Sequence, residues 1–176
     1  MKTKFLSLPK FAVVAAALCA STVAASFAQD VATEGAEAGK WTQDYDAAMA
    51  LARKEKLPVI LNFTGSDWCG WCKLMQRQVF SKGEFAAWAA GRVVLVTIDF
   101  PRDQSLVPER FRTRNGTLAT MYGIRGYPTY VVLDAAGEVA GRLGASRDAS
   151  VERFTADFER LVPRADEPKA ADQGGV

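Results

Sequence analysis

The 176-residue sequence contains no histidine. The absence of imidazole excludes Ser–His and Cys–His nucleophile pairs, haem held by histidine, and metal sites that depend on histidine ligands. Cysteine is also scarce, with three residues in the whole chain. The chemistry that remains therefore centres on these few cysteines, since they are the leading reactive side chains left.

The sequence has little net charge, formally +2. Lys2, Lys4 and Lys10 all precede the first acidic residue, Asp30, so the rest of the chain is close to neutral. A nearly neutral protein has no overall field that attracts phosphate backbones. Nucleic acid is therefore not an expected partner.

Residues 1–28 have the pattern of a secretory signal peptide. A basic start is followed by the apolar stretch Phe11–Ala20 and then by small residues, and we expect cleavage after Ala28. The apolar stretch is shorter than the roughly 20 residues that span a bilayer. These features predict a periplasmic or secreted protein with no stable membrane insertion after cleavage.

Cys19 lies inside this leader and follows the bulky Leu18, where a lipoprotein signal has a small residue. We expect Cys19 to be removed with the leader. The mature chain would keep Cys69 and Cys72, which outside the cytosol can form a lasting disulfide.

The remaining sequence divides into three parts. Residues 29–40 are rich in Ala, Gly and Glu and predict a flexible lead-in. Residues 41–162 carry the periodic apolar pattern of one globular domain. The polar residues 163–176 follow a proline and predict a disordered tail.

Within the domain, apolar spacing predicts an α/β fold. A strand, a helix and a second strong strand follow one another, which indicates a right-handed crossover and a parallel pair. A hairpin and a final helix are predicted after the Gly-Tyr-Pro segment at 126–128, and residues 100–115 read as a long polar connection. The predicted helices are 44–56, 69–80, 84–90, 117–122 and 149–162, and the predicted strands are 59–63, 92–99, 129–133 and 139–143.

The sequence Trp68-Cys69-Gly70-Trp71-Cys72-Lys73 lies between the first predicted strand and the next helix. Unpaired N–H groups and the helix dipole at such a position stabilise negative charge, which favours the thiolate of Cys69. Cys72 lies one turn further on, within reach of the Cys69 sulfur, and so can resolve a mixed disulfide. Cys69 is the predicted nucleophile of a dithiol–disulfide cycle.

Other uses of the same pair stay open from the residues alone. A zinc site would need two more ligands, which the mature chain does not offer as Cys or His. A structural disulfide closing so short a loop would add about 2 kcal/mol at most. Two thiolates also suit copper, although no histidine or methionine cluster accompanies them.

Together with Gly126-Tyr127-Pro128-Thr129 ahead of the hairpin, this motif resembles the exported members of the thioredoxin superfamily. The resemblance covers residues 41–162 and implies the thioredoxin fold, a central mixed β-sheet flanked by helices with a C-terminal β-hairpin and final helix. It also implies a cis peptide bond before Pro128 and a substrate peptide held against Tyr127. Trp68 and Trp71 are expected to form an apolar rim beside the cysteines.

The sequence departs from this family at its proton-handling residues. The best match to the family's buried aspartate is Asn62, and the buried lysine of the next strand is matched by Leu95. Asp67 offers a nearby carboxylate, and Lys73 is expected to favour the Cys69 thiolate by proximity. An amide at position 62 cannot take the proton of the second cysteine, and the charged pair of the family is replaced as a unit.

The prediction is an exported thiol–disulfide oxidoreductase that reduces or exchanges disulfides in other exported proteins through Cys69 and Cys72. No cofactor or metal is expected, since the redox centre is the cysteine pair, and the resemblance implies a membrane-embedded thiol electron donor. The alternative is a copper or cytochrome assembly module that uses the same cysteines. A thiol-independent holdase is a third possibility.

Overall fold

A computed structural model describes residues 31–162. The predicted signal peptide at 1–28 and the predicted tail at 163–176 therefore lie outside the described residues. A five-stranded mixed sheet forms the centre, in the order β1-β3-β2-β4-β5. Its strands are β1 (Trp41–Thr42), β2 (Val59–Thr64), β3 (Val94–Asp99), β4 (Thr129–Leu133) and β5 (Val139–Gly144).

The strands pair in both parallel and antiparallel directions. β2 and β3 are parallel, as are β1 and β3, and β4 runs antiparallel to both β2 and β5. The predicted parallel pair, hairpin and mixed sheet are confirmed. The carboxyl ends of β2 and β3 lie side by side, with Thr64 opposite Asp99.

Helices cover both faces of the sheet. They are α1 (Tyr45–Glu55), α2 (Gly70–Met75), α3 (Gly83–Ala89), α4 (Glu109–Met121) and α5 (Val151–Leu161). Asp44 caps α1 by accepting from Ala47 N, and Ser150 caps α5 by accepting from Arg153 N. No helix within residues 31–162 is long and apolar enough to cross a membrane.

The sheet separates two apolar cores. One face holds an aromatic cluster under α2, α3 and α5, in which Phe80 contacts Trp41, Phe85 and Phe154. The other face packs mainly aliphatic side chains of the strands against α1 and α4. Strands buried on both faces explain the continuous apolar runs in the sequence.

The polar connection predicted over residues 100–115 is wrong in its second half. Helix α4 begins at Glu109 rather than near Thr117, and a 3₁₀ turn covers Gln104–Leu106. The long helix buries Phe111 on its inner side, and Arg110 and Arg114 stack over that ring. The aliphatic parts of these two arginine side chains cover the apolar ring. The sequence of the helix therefore appears polar although its inner side is buried.

Arg110 also contacts the lead-in, residues 29–40, which was expected to be flexible. Arg110 donates to Thr33 O, and Ala32 N donates to Trp41 O. Gly39 N donates to Val93 O, and at that glycine φ is +84°. Residues 31–40 thus run against the edge of the sheet, held by backbone hydrogen bonds and by the packing of Val31 and Ala36 against the two cores.

Candidate active site

Cys69 and Cys72 meet at the start of α2. Cys69 occupies the N-cap position, its Sγ accepts a hydrogen bond from Cys72 N at 3.2 Å, and the two sulfurs form a disulfide with Cα atoms 5.2 Å apart. Each residue has an exposed fraction of 6%. A sulfur at this position receives backbone N–H groups and the positive end of the helix dipole, which stabilise a thiolate.

Helix α2 continues without a break as a π-helical stretch, Gln76–Phe80. This widened turn, which periodicity does not reveal, places Val79 and Phe80 in the aromatic core. The core thus fixes the helix that carries Cys72.

Trp68 is bound into the loop before the cysteines and is also partly open to solvent. Its Nε1 donates to Phe100 O at 2.9 Å, its ring meets Tyr127 edge-to-face at 5.8 Å, and 39% of the residue is exposed. A Cβ at Gly65 would lie 2.4 Å from the indole, so this position requires glycine. Trp68, which was predicted to form part of an apolar rim, therefore also packs over the active-site loop.

Trp71 and Gly70 face solvent. Trp71 is 45% exposed, and a Cβ at Gly70 would meet no atom within 4 Å. The Tyr127–Pro128 peptide bond is cis, and Pro128 is buried. Burial raises the pKa of Tyr127. The ring of Tyr127 contacts Trp68, the residue before Cys69, and Trp71 is the more exposed of the two tryptophans.

Asp67, considered from the sequence as a nearby carboxylate for proton transfer, binds backbone N–H groups. Its carboxylate accepts the backbone N–H groups of Asp103 and Arg102 at 2.9 and 3.0 Å, and these bonds lower its pKa. Lys73 Nζ donates to the backbone carbonyl of Asp67 at 2.7 Å. The Asp67 side chain therefore holds the active-site loop against the segment that follows β3, and Lys73 ties the same loop to α2.

Behind Cys72 lies a cavity of about 660 Å³ that is lined by both apolar and polar side chains. Asn62 lines it and is 8% exposed, and no atom of residues 31–162 is a hydrogen-bond partner for its Oδ1. Leu95 is fully buried in the aromatic core. The positions matched to the family's charged pair thus hold an amide beside the cavity and an aliphatic side chain in the core.

The sequence reasoning missed Asp99, the last residue of β3. It is 7% exposed, lines the same cavity as Cys72, and accepts from Ser66 Oγ at 2.5 Å and Ser66 N at 2.9 Å. Burial raises its pKa, although the bonds from Ser66 act in the opposite direction. The available signal was an acidic residue at the carboxyl end of the strongest strand, where parallel strands place functional groups.

The thioredoxin-like family matches residues 40–135, which is more than half of the chain. This protein belongs to the thioredoxin-like family. The resemblance to the thioredoxin superfamily noted from Cys69-Gly70-Trp71-Cys72 and the fold that it implies are therefore confirmed.

Individual relatives agree with this membership. The disulfide bond reductase DsbH of Chlamydia pneumoniae is 36% identical over 102 residues, which make up 58% of this chain and 61% of that protein. A solved DsbH oxidoreductase has 29% identity and a TM-score of 0.63, over 74% of this chain and 83% of the other. A thioredoxin from Thermus thermophilus has 26% identity and a TM-score of 0.53, over 69% and 85%.

Within residues 31–162, no three His, Cys, Asp or Glu side chains come together as a group that could hold a metal ion. The chemistry of the arrangement is that of two sulfurs that interconvert between dithiol and disulfide.

Proposed function

We propose that this protein is an exported thiol–disulfide oxidoreductase that reduces or exchanges disulfides in other exported proteins. The observation that carries the proposal is the Cys69–Cys72 pair, formed at a helix N-terminus and flanked by exposed tryptophans. The match to a protein named disulfide bond reductase supports the same activity. The matched region is 61% of that relative's length, so the activity and partners of the whole relative enter here as part of the proposal.

The reaction uses the two sulfurs in sequence. The Cys69 thiolate attacks one sulfur of a partner disulfide, forms a mixed disulfide and releases the other partner sulfur as a thiolate. Cys72 then attacks Cys69 Sγ, the Cys69–partner bond breaks, and the second partner thiolate leaves with the electron pair. The partner gains two electrons, and the protein ends with the disulfide that the structure contains.

Substrate contacts are assigned to the surface beside Cys69. Trp68, Trp71 and Tyr127 offer aromatic area with polar edges, which suits contact with peptide segments. Pro128 opens β4 next to Tyr127, so a partner segment held there would lie against the cysteine loop. Gly70 keeps the approach to Cys69 open, since it has no side chain.

Export and electron supply belong to the same proposal. The pattern of residues 1–28 supports passage out of the cytosol, where partner proteins contain disulfides. Each catalytic turn leaves the protein oxidised, so an electron donor must return it to the dithiol. A membrane-embedded thiol donor meets that requirement without a bound cofactor.

The test compares disulfide reduction by the full chain carrying Cys19→Ser with reduction by the same chain carrying Cys69→Ser as well. With insulin as substrate and a thiol reductant in excess, we expect the second change to lower the rate at least about 1,000-fold, because no other side chain supplies the nucleophile. The matched control is Ser81→Ala, a change outside the site. Equal rates with and without Cys69 would refute the proposal.

The copper-binding alternative predicts a different result. It requires tight stoichiometric Cu(I) binding by the reduced chain, loss of that binding in Cys69→Ser, and poor reduction of disulfides. That combination of results would replace the oxidoreductase proposal with a metal-delivery role.

A further inference from the structure

Cys72 must lose a proton before it attacks, and its surroundings make that step difficult. The residue is 6% exposed, and burial disfavours a thiolate. Asn62, the side chain matched to the family's proton acceptor, is an amide and cannot take a proton at neutral pH. The proton therefore needs a different acceptor within reach of the cavity behind Cys72.

Among residues 31–162, Asp99 is the one carboxylate that lines this cavity. It lies on the same sheet edge as the cysteine loop, with Thr64 as its register partner. Ser66, three residues before Cys69, donates twice to the carboxylate and so fixes its position. The side chain is thus held at the carboxyl end of β3 with its cavity side available.

The cavity also contains polar groups that need water. Trp41 Nε1, Gln43 Oε1 and Asn62 Oδ1 are buried and have no hydrogen-bond partner within residues 31–162. All three residues line the cavity that Cys72 and Asp99 share. Buried polar groups in native proteins are nearly always paired with protein or ordered water, and a cavity of this size has room for several waters beside these groups.

We propose that Asp99 exchanges the Cys72 proton through water held in this cavity. The inference rests on the proposed function. During reduction of a partner, the Asp99 carboxylate takes the proton of the Cys72 thiol through the water, and Cys72 attacks Cys69 Sγ. The Cys69–partner bond breaks, the partner thiolate leaves with the electron pair, and the proton on Asp99 passes to solvent or to that thiolate. When the disulfide is reduced again, the proton returns to Cys72.

Other charged and titratable groups face the same space and set the field around Asp99. Asp67 raises its pKa by charge repulsion, and the hydroxyl and N–H of Ser66 lower it. The remaining groups that line the cavity or the smaller one beside it are Lys73 and Arg77 on the helix of Cys72, Tyr130 on β4, and Arg112 on α4. Burial opposes the carboxylate form of Asp99, and the hydrogen bonds from Ser66 and from the Phe100 N–H favour it.

The experiment separates the two sulfur exchanges. Reduced full chain carrying Cys19→Ser is mixed with glutathione disulfide, quenched in acid at intervals, and analysed by mass spectrometry for the Cys69–glutathione mixed disulfide. In Asp99→Asn, we expect formation of the mixed disulfide at the parent rate and its resolution about tenfold or more slower at pH 7, since a proton acceptor is lost. The difference should shrink above about pH 9, where hydroxide accepts the proton.

Two matched variants separate proton exchange from a structural role. Asp103→Asn removes a carboxylate whose partner is Ser105, outside the cavity, and should behave as the parent does. Asp99→Glu retains the acid and should recover the pH profile; it also serves as the test if Asp99→Asn does not fold.

The outcomes distinguish the two claims. If the parent chain forms neither the Cys69–glutathione adduct nor the Cys69–Cys72 disulfide, the proposed function fails. If the parent cycles while Asp99→Asn has the same resolution rate and pH profile, the proton-exchange inference alone is wrong. It is equally wrong if Asp103→Asn slows resolution as much as Asp99→Asn, because the effect would then not depend on the carboxylate that lines the cavity.

Discussion

The two ends of the central strands bury different chemistry. The first halves of β2 and β3, Val59–Leu61 and Val94–Val96, are apolar and fully buried. The second halves bury Asn62, Thr64 and Asp99 beside the cysteine loop. Burying polar groups without full pairing costs stability, whereas apolar burial supplies it. The comparison indicates that one end of the sheet stabilises the fold and the other end serves the site.

The largest expected effect on stability comes from the apolar side. Phe85 is 1% exposed and contacts the rings of Trp41, Phe80, Trp88 and Phe154. Phe85→Ala should lower the free energy of unfolding by about 3–5 kcal/mol, through lost burial and the cavity that remains. Urea unfolding measures this change.

The same variant tests the separation of the two ends. Phe85 does not line the cavity behind Cys72, so the folded variant should resolve mixed disulfides at the parent rate. Val139→Ala is the control, because Val139 is 49% exposed, and it should change the unfolding free energy by less than about 1 kcal/mol. A large change in the rate of disulfide resolution in Phe85→Ala would show that the two ends of the sheet are not separate in this way.

A smaller effect of opposite sign is expected at the site end. Burial raises the pKa of Asp99, so between the unfolded and folded pKa values the native state holds a proton that the unfolded state has lost. Stability therefore falls as pH rises from about 4 through the folded pKa. At pH 7, Asp99→Asn should unfold at a higher temperature than the parent chain. This difference in unfolding temperature should vanish at the acidic end of the range, near about pH 4.

Thermal unfolding of the oxidised chains at several pH values checks this difference. The hydrogen bonds from Ser66 offset part of the burial, so we expect this effect to be the smaller of the two. If the stability of the parent chain relative to Asp99→Asn increases as pH rises, the carboxylate stabilises the fold. That result would reverse the comparison.

Much of the fold was predictable because the signals were local. The strand Val59–Phe63, the hairpin around residues 134–137 and the helix that follows Ser150 each depend on apolar period, turn residues or a cap. The cysteine motif was equally local. These patterns fixed the sheet, and the sheet placed the motif at the start of α2.

The parts that were missed depend on contacts between distant residues. Asp67 binds the N–H groups of residues 102 and 103, and no local pattern links them. Asp99 becomes part of the site through the register of β2 and β3, which places it beside Thr64. The early start of α4 depends on Phe111 entering the core under two arginines. In each case, the structure depends on tertiary contacts between residues that are distant in the sequence, and composition alone does not indicate those contacts.

The central claim is that Cys69 and Cys72 cycle between dithiol and disulfide to reduce partner disulfides. Its most direct test is the reduction potential of the pair, measured in glutathione buffers on the full chain carrying Cys19→Ser, with alkylation and mass spectrometry as the readout. We predict reversible two-electron equilibration near the thioredoxin value of about −270 mV. A potential near about −120 mV would mark an oxidant and contradict the assigned direction, and a pair that does not equilibrate would contradict the cycle itself.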